Sequence, residues 1–237
     1  AKSCWGNEID ILIGATSNEC ISLVKMAEVE EEFKKTTNFS RYVPRELELP
    51  LDDPKRQEYA KMLMKNYYGC LKPTKTNLDG TIHAMNDDAL WHPMFRIVKS
   101  RENSGQGGKS YVYRFDIDSE NNLFKKFMKL DDKYREPMHG DDLAYIFKMS
   151  FFGPPPPIDS KGFECIRLML SVFKEFATNG NPNVNELGGV EWEPATFENP
   201  LKGLNINEEK CEFLTLPEAE CIKVFDKMYI EQGKDLF

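Results

Sequence analysis

Ile9-Asp10-Ile11-Leu12-Ile13-Gly14-Ala15-Thr16-Ser17-Asn18-Glu19 is the stretch whose reading decides the fold. Ile9 to Ile13, with Gly14 behind, is a short apolar run that reads as a buried strand of a parallel sheet. It leads into Ala15 to Glu19, a polar turn rich in side chains that hydrogen-bond locally. In open α/β sheets function gathers in the crevice beyond the carboxyl ends of the strands. Glu19 therefore stands where a working carboxylate would be placed.

A second stretch supplies a partner: Pro137-Met138-His139-Gly140-Asp141-Asp142-Leu143-Ala144-Tyr145-Ile146-Phe147. Asp141 and Asp142 are expected to cap a short helix whose apolar residues are Leu143, Ile146 and Phe147. His139 is then held by its surroundings while facing outward. Imidazole changes charge most readily near neutral pH, which suits proton transfer. Alone, each of these residues reads as an ordinary loop side chain.

Composition narrows the class. The chain has 237 residues, 41% hydrophobic and 30% charged, which is long and apolar enough to bury a full core. A net charge of −8 argues against a nucleic-acid surface. No apolar run approaches a membrane span, and the opening Ala1 to Gly6 lacks the apolar core of a signal peptide. Cys4, Cys20, Cys70, Cys165, Cys211 and Cys221 are scattered without a C-x-x-C pair, so no metal site or redox motif is indicated. No cofactor is expected.

Along the chain, Asp52-Asp53-Pro54 opens a helix that carries Tyr59, Met62, Leu63 and Tyr67 at helical spacing and stops at Gly69. A second helix is expected from Asp88 to about Arg101, with His92 structural, whereas His83 is expected in solvent. Asn103 to Ser110 is glycine-rich but lacks the phosphate-loop spacing and joins a helix to a strand, so it reads as a connection. Tyr111 to Asp116 reads as a strand. Gly153-Pro154-Pro155-Pro156-Pro157 reads as an extended surface spacer. Ser160 to Thr178 predicts an amphipathic helix with Ile166, Met169, Leu170, Phe173 and Ala177 inward. Leu204 to Ile206 and Cys211 to Leu214 predict a small antiparallel addition, and Pro217-Glu218 opens a terminal helix. With no repeat and no linker, residues 1–237 read as part of one domain.

Several of these stretches resemble one family, in family order. Ile11 to Glu19 is similar to the acid-bearing loop of the type-B carboxylesterases, and His139 to Phe147 is similar to their histidine loop. Tyr113-Arg114-Phe115-Asp116 resembles the strand before that loop, and Phe176 to Asn183 resembles the end of the helix after it. Asp87 to Pro93 resembles the insect α-esterase branch best. The resemblance implies an α/β-hydrolase fold, with this chain as the carboxyl-terminal part of a mostly parallel, doubly wound sheet. It makes Glu19 and His139 the acid and base of a Ser-Glu-His triad. It also puts Ser22, Leu23 and Met26 near the pocket wall, where cholinesterases carry aromatics, which implies neutral, lipophilic or xenobiotic esters and organophosphates as ligands. Where secreted cholinesterases carry a disulfide cysteine this chain has His92, which favours an intracellular (cytoplasmic) setting.

No G-x-S-x-G elbow occurs in these residues. The nucleophile is therefore expected from an amino-terminal part of the same esterase, and the chain alone is expected to be inactive. A non-catalytic adhesion protein built on the esterase fold, or a self-contained α/β binding module, are the alternatives. A binding protein has no reason to keep both acid and base.

Overall fold

The computed structural model describes residues 6–131 and 133–236. In chain order the elements are β1 (Ile11–Thr16), α1 (Leu23–Met26), α2 (Glu30–Thr36), α3 (Pro54–Tyr68), α4 (Asp79–Asn86) and α5 (His92–Ser104). They continue as β2 (Ser110–Phe115), α6 (Leu123–Phe127), α7 (Leu143–Ile146) and α8 (Lys161–Asn179). β3 (Lys202–Ile206), β4 (Cys211–Thr215), α9 (Glu218–Cys221) and α10 (Lys223–Glu231) close the chain. Contacts divide it into two compact units, residues 1–19 with 97–216 and residues 20–96 with 217–237.

The first unit is built on a sheet in the order β1-β2-β3-β4. β1 pairs with β2 and β2 with β3 in parallel, whereas β3 and β4 are antiparallel. Two expectations shift here. β1 starts at Ile11 and runs on through Ala15 and Thr16, because both are paired with β2 instead of turning. β3 is also more than a local addition: Leu204 to Ile206 extend the parallel sheet by bonding β2, while their other edge makes the expected hairpin. Phe115, Tyr145, Met169, Trp192, Leu204 and Ile206 form the centre of the core beneath this sheet.

α8 begins and ends where its sequence says. The Ser160 hydroxyl accepts from the Phe163 N–H, and Gly180 at φ +68° takes the left-handed position after the last turn. Its buried face is Gly162, Cys165, Met169 and Val172. Leu170 and Ala177, expected inward, point to solvent, since the buried stripe is narrower than the apolar pattern suggests.

In the second unit α3 runs as expected from the Asp53 cap to Gly69, and Tyr59 and Leu63 are fully buried. The stretch Asp87–Trp91 makes a wider π turn ahead of α5. His92 is buried, bonds Asp226 Oδ1 through Nε2 at 3.0 Å and stacks on Phe225, which is a structural role. His83 is exposed on α4. The expected terminal helix is broken at Ile222 into α9 and α10, with Val224, Phe225 and Met228 buried.

One close approach in the sheet bears on the site. Gly14 lies opposite Tyr113, whose ring crosses it so closely that a Cβ there would sit 2.4 Å from the ring and from the Tyr113 carbonyl oxygen. That ring carries its hydroxyl to Asp142 Oδ2 at 3.3 Å, behind the histidine loop. Gly14→Ala in the full-length protein should therefore cost about 1–3 kcal/mol, the usual penalty of overpacking. Chemical denaturation measures it, and an unchanged midpoint would contradict the reading.

Candidate active site

The site is built where β1 ends. Beyond Thr16, the Ser17 N–H donates to the Phe115 carbonyl at 2.8 Å, so the turn stays attached to the end of β2. Asn18 N–H then reaches the Pro137 carbonyl at 3.2 Å, and the Glu19 carbonyl accepts from the His139 N–H at 3.2 Å. Two backbone bonds thus fasten the acid loop to a segment 120 residues further along the chain.

The side chains complete the attachment. Glu19 is buried, and its two carboxylate oxygens have separate tasks. Oε1 accepts from the Thr16 N–H at 2.6 Å, which locks the carboxylate against its own turn. Oε2 lies 2.6 Å from His139 Nδ1. An ionised carboxylate can only accept, so Nδ1 carries the proton and Nε2 presents its lone pair. The imidazole is 79% exposed while the Glu19 side chain is 6% exposed. The carboxylate is sheltered and the imidazole faces out. Nε2 has no hydrogen-bond partner among the described residues.

Asp141 does something other than the expected capping of α7. The helix start at Asp142 has no side-chain cap. Asp141 is instead fully buried, with Oδ1 accepting from the Phe124 and Lys125 N–H groups at the start of α6, at 2.8 and 3.2 Å. Its Oδ2 accepts from the Met138 N–H at 2.9 Å. One carboxylate therefore ties the residue before the histidine to a helix start. Gly140, at φ +84°, makes the turn between them, and a Cβ there would meet the Phe124 ring at 3.3 Å. Burial pushes the Asp141 carboxyl up to about 6, against the pull of its N–H donors. Asp142 is also raised, by burial and then by the Glu19 charge. Sequence spacing could suggest a cap at Asp141, but not a partner on another helix.

The three residues expected on a pocket wall lie just after Glu19. Ser22 precedes α1 and is half-buried. Leu23 is buried against Ala27, Leu78 and Ile82, whereas Met26 is half exposed. No set of three or more His, Cys, Asp or Glu side chains among the described residues could hold a metal ion. No helix among them is long and apolar enough to cross a membrane.

A carboxylate held at the carboxyl end of a parallel strand and bonded to an outward histidine can fix the tautomer of that ring and stabilise its protonated form. The chain belongs to the carboxylesterase family, whose profile matches residues 1–224. It is 32% identical over 234 residues to Esterase B1 of Culex pipiens, covering 97% of this chain and 43% of that protein. It is 25% identical over 196 residues to Juvenile hormone esterase of Heliothis virescens, covering 80% of this chain and 33% of that one. The crystal structure of juvenile hormone esterase from Manduca sexta, with OTFP covalently attached, has the same fold at a TM-score of 0.74 and 20% identity. That match covers 95% of this chain and 42% of the other. The fold is accordingly the carboxyl-terminal part of an α/β-hydrolase, and the chain spans less than half the length of these relatives.

The Asp141 tie can be tested by Asp141→Asn, which sets an amide N–H₂ against a backbone N–H. At pH 5 the full-length variant should be less stable by about 1–3 kcal/mol, the cost of leaving a buried donor unsatisfied. The raised Asp141 carboxyl makes the native state bind its proton before the unfolded chain does. Its contribution is therefore whole below the ordinary 3.8 and lost as pH rises to about 6. The gap between wild type and variant should narrow over that range. Urea unfolding between pH 4 and 7 measures both effects, and a gap of constant size would refute the assignment.

Proposed function

We propose that this chain carries the acid and base of a serine carboxylesterase, with the nucleophilic serine supplied by an amino-terminal part of the same enzyme outside these residues. The observation that carries the proposal is the 2.6 Å bond between buried Glu19 and His139 at the end of a parallel strand. Both units belong, on this reading, to one α/β-hydrolase domain.

The chemistry follows from the proton positions. The serine Oγ attacks the ester carbonyl carbon as His139 Nε2 takes its proton, and the imidazolium is stabilised by Glu19. As the tetrahedral intermediate collapses, the C–O bond to the alcohol breaks and Nε2 returns the proton to the leaving oxygen. Water then attacks the acyl-enzyme with His139 again as base, releasing the acid and restoring the serine. Glu19 fixes the tautomer throughout. No cofactor takes part.

Ser22, Leu23 and Met26 give the pocket a small and aliphatic side in this reading, unlike an aromatic cage for quaternary ammonium. Neutral, lipophilic esters fit best, including xenobiotic ones. An organophosphate would phosphorylate the same serine, which is the basis for proposing insecticide detoxification. The scattered cysteines, with Cys70, Cys165, Cys211 and Cys221 free among the described residues, support an intracellular setting.

In the full-length enzyme, His139→Gln should abolish hydrolysis of a p-nitrophenyl ester with the circular dichroism spectrum kept. Glu19→Gln should cost on the order of ten-thousand-fold in turnover, as for the orienting carboxylate of a serine-protease triad. Because the two act as a unit, the double variant should be within about tenfold of His139→Gln alone. Near-wild-type activity in His139→Gln, or a loss under tenfold in Glu19→Gln, would refute the roles.

A further inference from the structure

After α7 the chain turns away from the histidine loop, passes the proline run and returns as α8. Between these elements lies a slot of about 240 Å³, walled by Ile146, Met149, Pro154, Phe163, Ile166 and Leu170. Neither Glu19 nor His139 lines it. The one charged side chain in its lining is Lys148, and no carboxylate lines it, in a chain whose net charge is −8. Lys148 is exposed and has no ion-pair partner among the described residues. Asn121 also reaches the lining, but its amide is committed to the Ala144 carbonyl.

These features select a ligand class. Drug-sized molecules occupy roughly 300–1,000 Å³, so this slot suits something slender. Its apolar walls favour a hydrocarbon, and Pro154 and Pro155 stiffen one side. Phe147 and Leu170 reach the opening and are 61% and 45% exposed, giving an emerging chain an apolar rim. A lone cation with no competing carboxylate favours an anionic head. By contrast, a cavity of about 440 Å³ beside Cys165 carries Glu164, Glu186, Glu208 and Glu209 against Arg167 and Lys210, which disfavours an anionic head.

We infer that the slot between α7 and α8 binds the alkyl chain of a long-chain carboxylate, with Lys148 pairing with the headgroup. The site is separate from the Glu19–His139 pair and does not rest on the catalytic reading. Entry of the chain removes apolar walls from water, and the ammonium holds the head at the opening, where its own solvation is kept.

Calorimetric titration of the full-length protein with octanoate, decanoate and dodecanoate, each below its micelle concentration, tests this. One molecule should bind per chain, with affinity rising about fourfold per added methylene, as for buried CH₂ groups, until the slot is filled. Lys148→Gln should weaken dodecanoate about tenfold while leaving dodecanol unchanged. Leu170→Glu, at the exposed rim, should repel dodecanoate. Both variants should hydrolyse a short aryl ester as the wild type does. Absence of binding, or binding indifferent to chain length and to both variants, would overturn the inference. So would Lys148-dependent binding to phosphatidylserine vesicles without binding of monomeric dodecanoate, which would assign the slot to a lipid surface.

Discussion

The Glu19 carboxylate is taken out of water at the end of β1, and a buried charge is tolerated only where its acceptors are filled. Thr16 N–H fills one oxygen and His139 Nδ1 the other, both at 2.6 Å. That constraint organises what surrounds it. The Thr16 bond needs the turn held at the strand end, which Ser17 secures on β2. The His139 bond needs the distant loop brought alongside, which the Asn18–Pro137 and His139–Glu19 backbone bonds secure. Removing the imidazole would leave one oxygen of a sheltered carboxylate without its donor. The same bond that would orient a catalytic base thus also stabilises the loop that carries it.

Behind the pair stands a second tier that positions it. Asp141 ties the residue before His139 to the start of α6, and Tyr113, lying across Gly14, reaches Asp142. Asp141 and Asp142 follow His139 closely in sequence, yet each is occupied in this framework. Neither competes with Glu19 for the ring nitrogen. Their raised carboxyls reflect the same burial that makes the framework rigid.

Much of this was legible in the residues, for identifiable reasons. β1 announced itself because a short apolar run running into polar turn residues has few other solutions, and α3 and α8 because their caps and glycine stops lie within a few residues of each other. Glu19 and His139 were legible as candidates from loop chemistry and family likeness. Their mutual bond was legible only through that likeness, since no local pattern records a contact across 120 residues. The same limit explains Asp141, whose sequence position suggests a cap on α7 while its carboxylate serves α6. It also explains β3, whose hairpin to β4 is local but whose parallel pairing with β2 is remote. Leu170 misled because apolar residues on a helix need not face the core. Here it borders the slot beside Lys148.

β1 is one of the two edge strands of the sheet among the described residues, and in our reading the amino-terminal strands of the enzyme pair there and bring the serine toward His139 Nε2. The most direct test is to label the full-length protein with a fluorophosphonate and locate the adduct by peptide mass spectrometry. The account predicts one adduct, on the serine of a G-x-S-x-G elbow outside these 237 residues. An adduct on a serine within Ala1 to Phe237, or none at all, would contradict it.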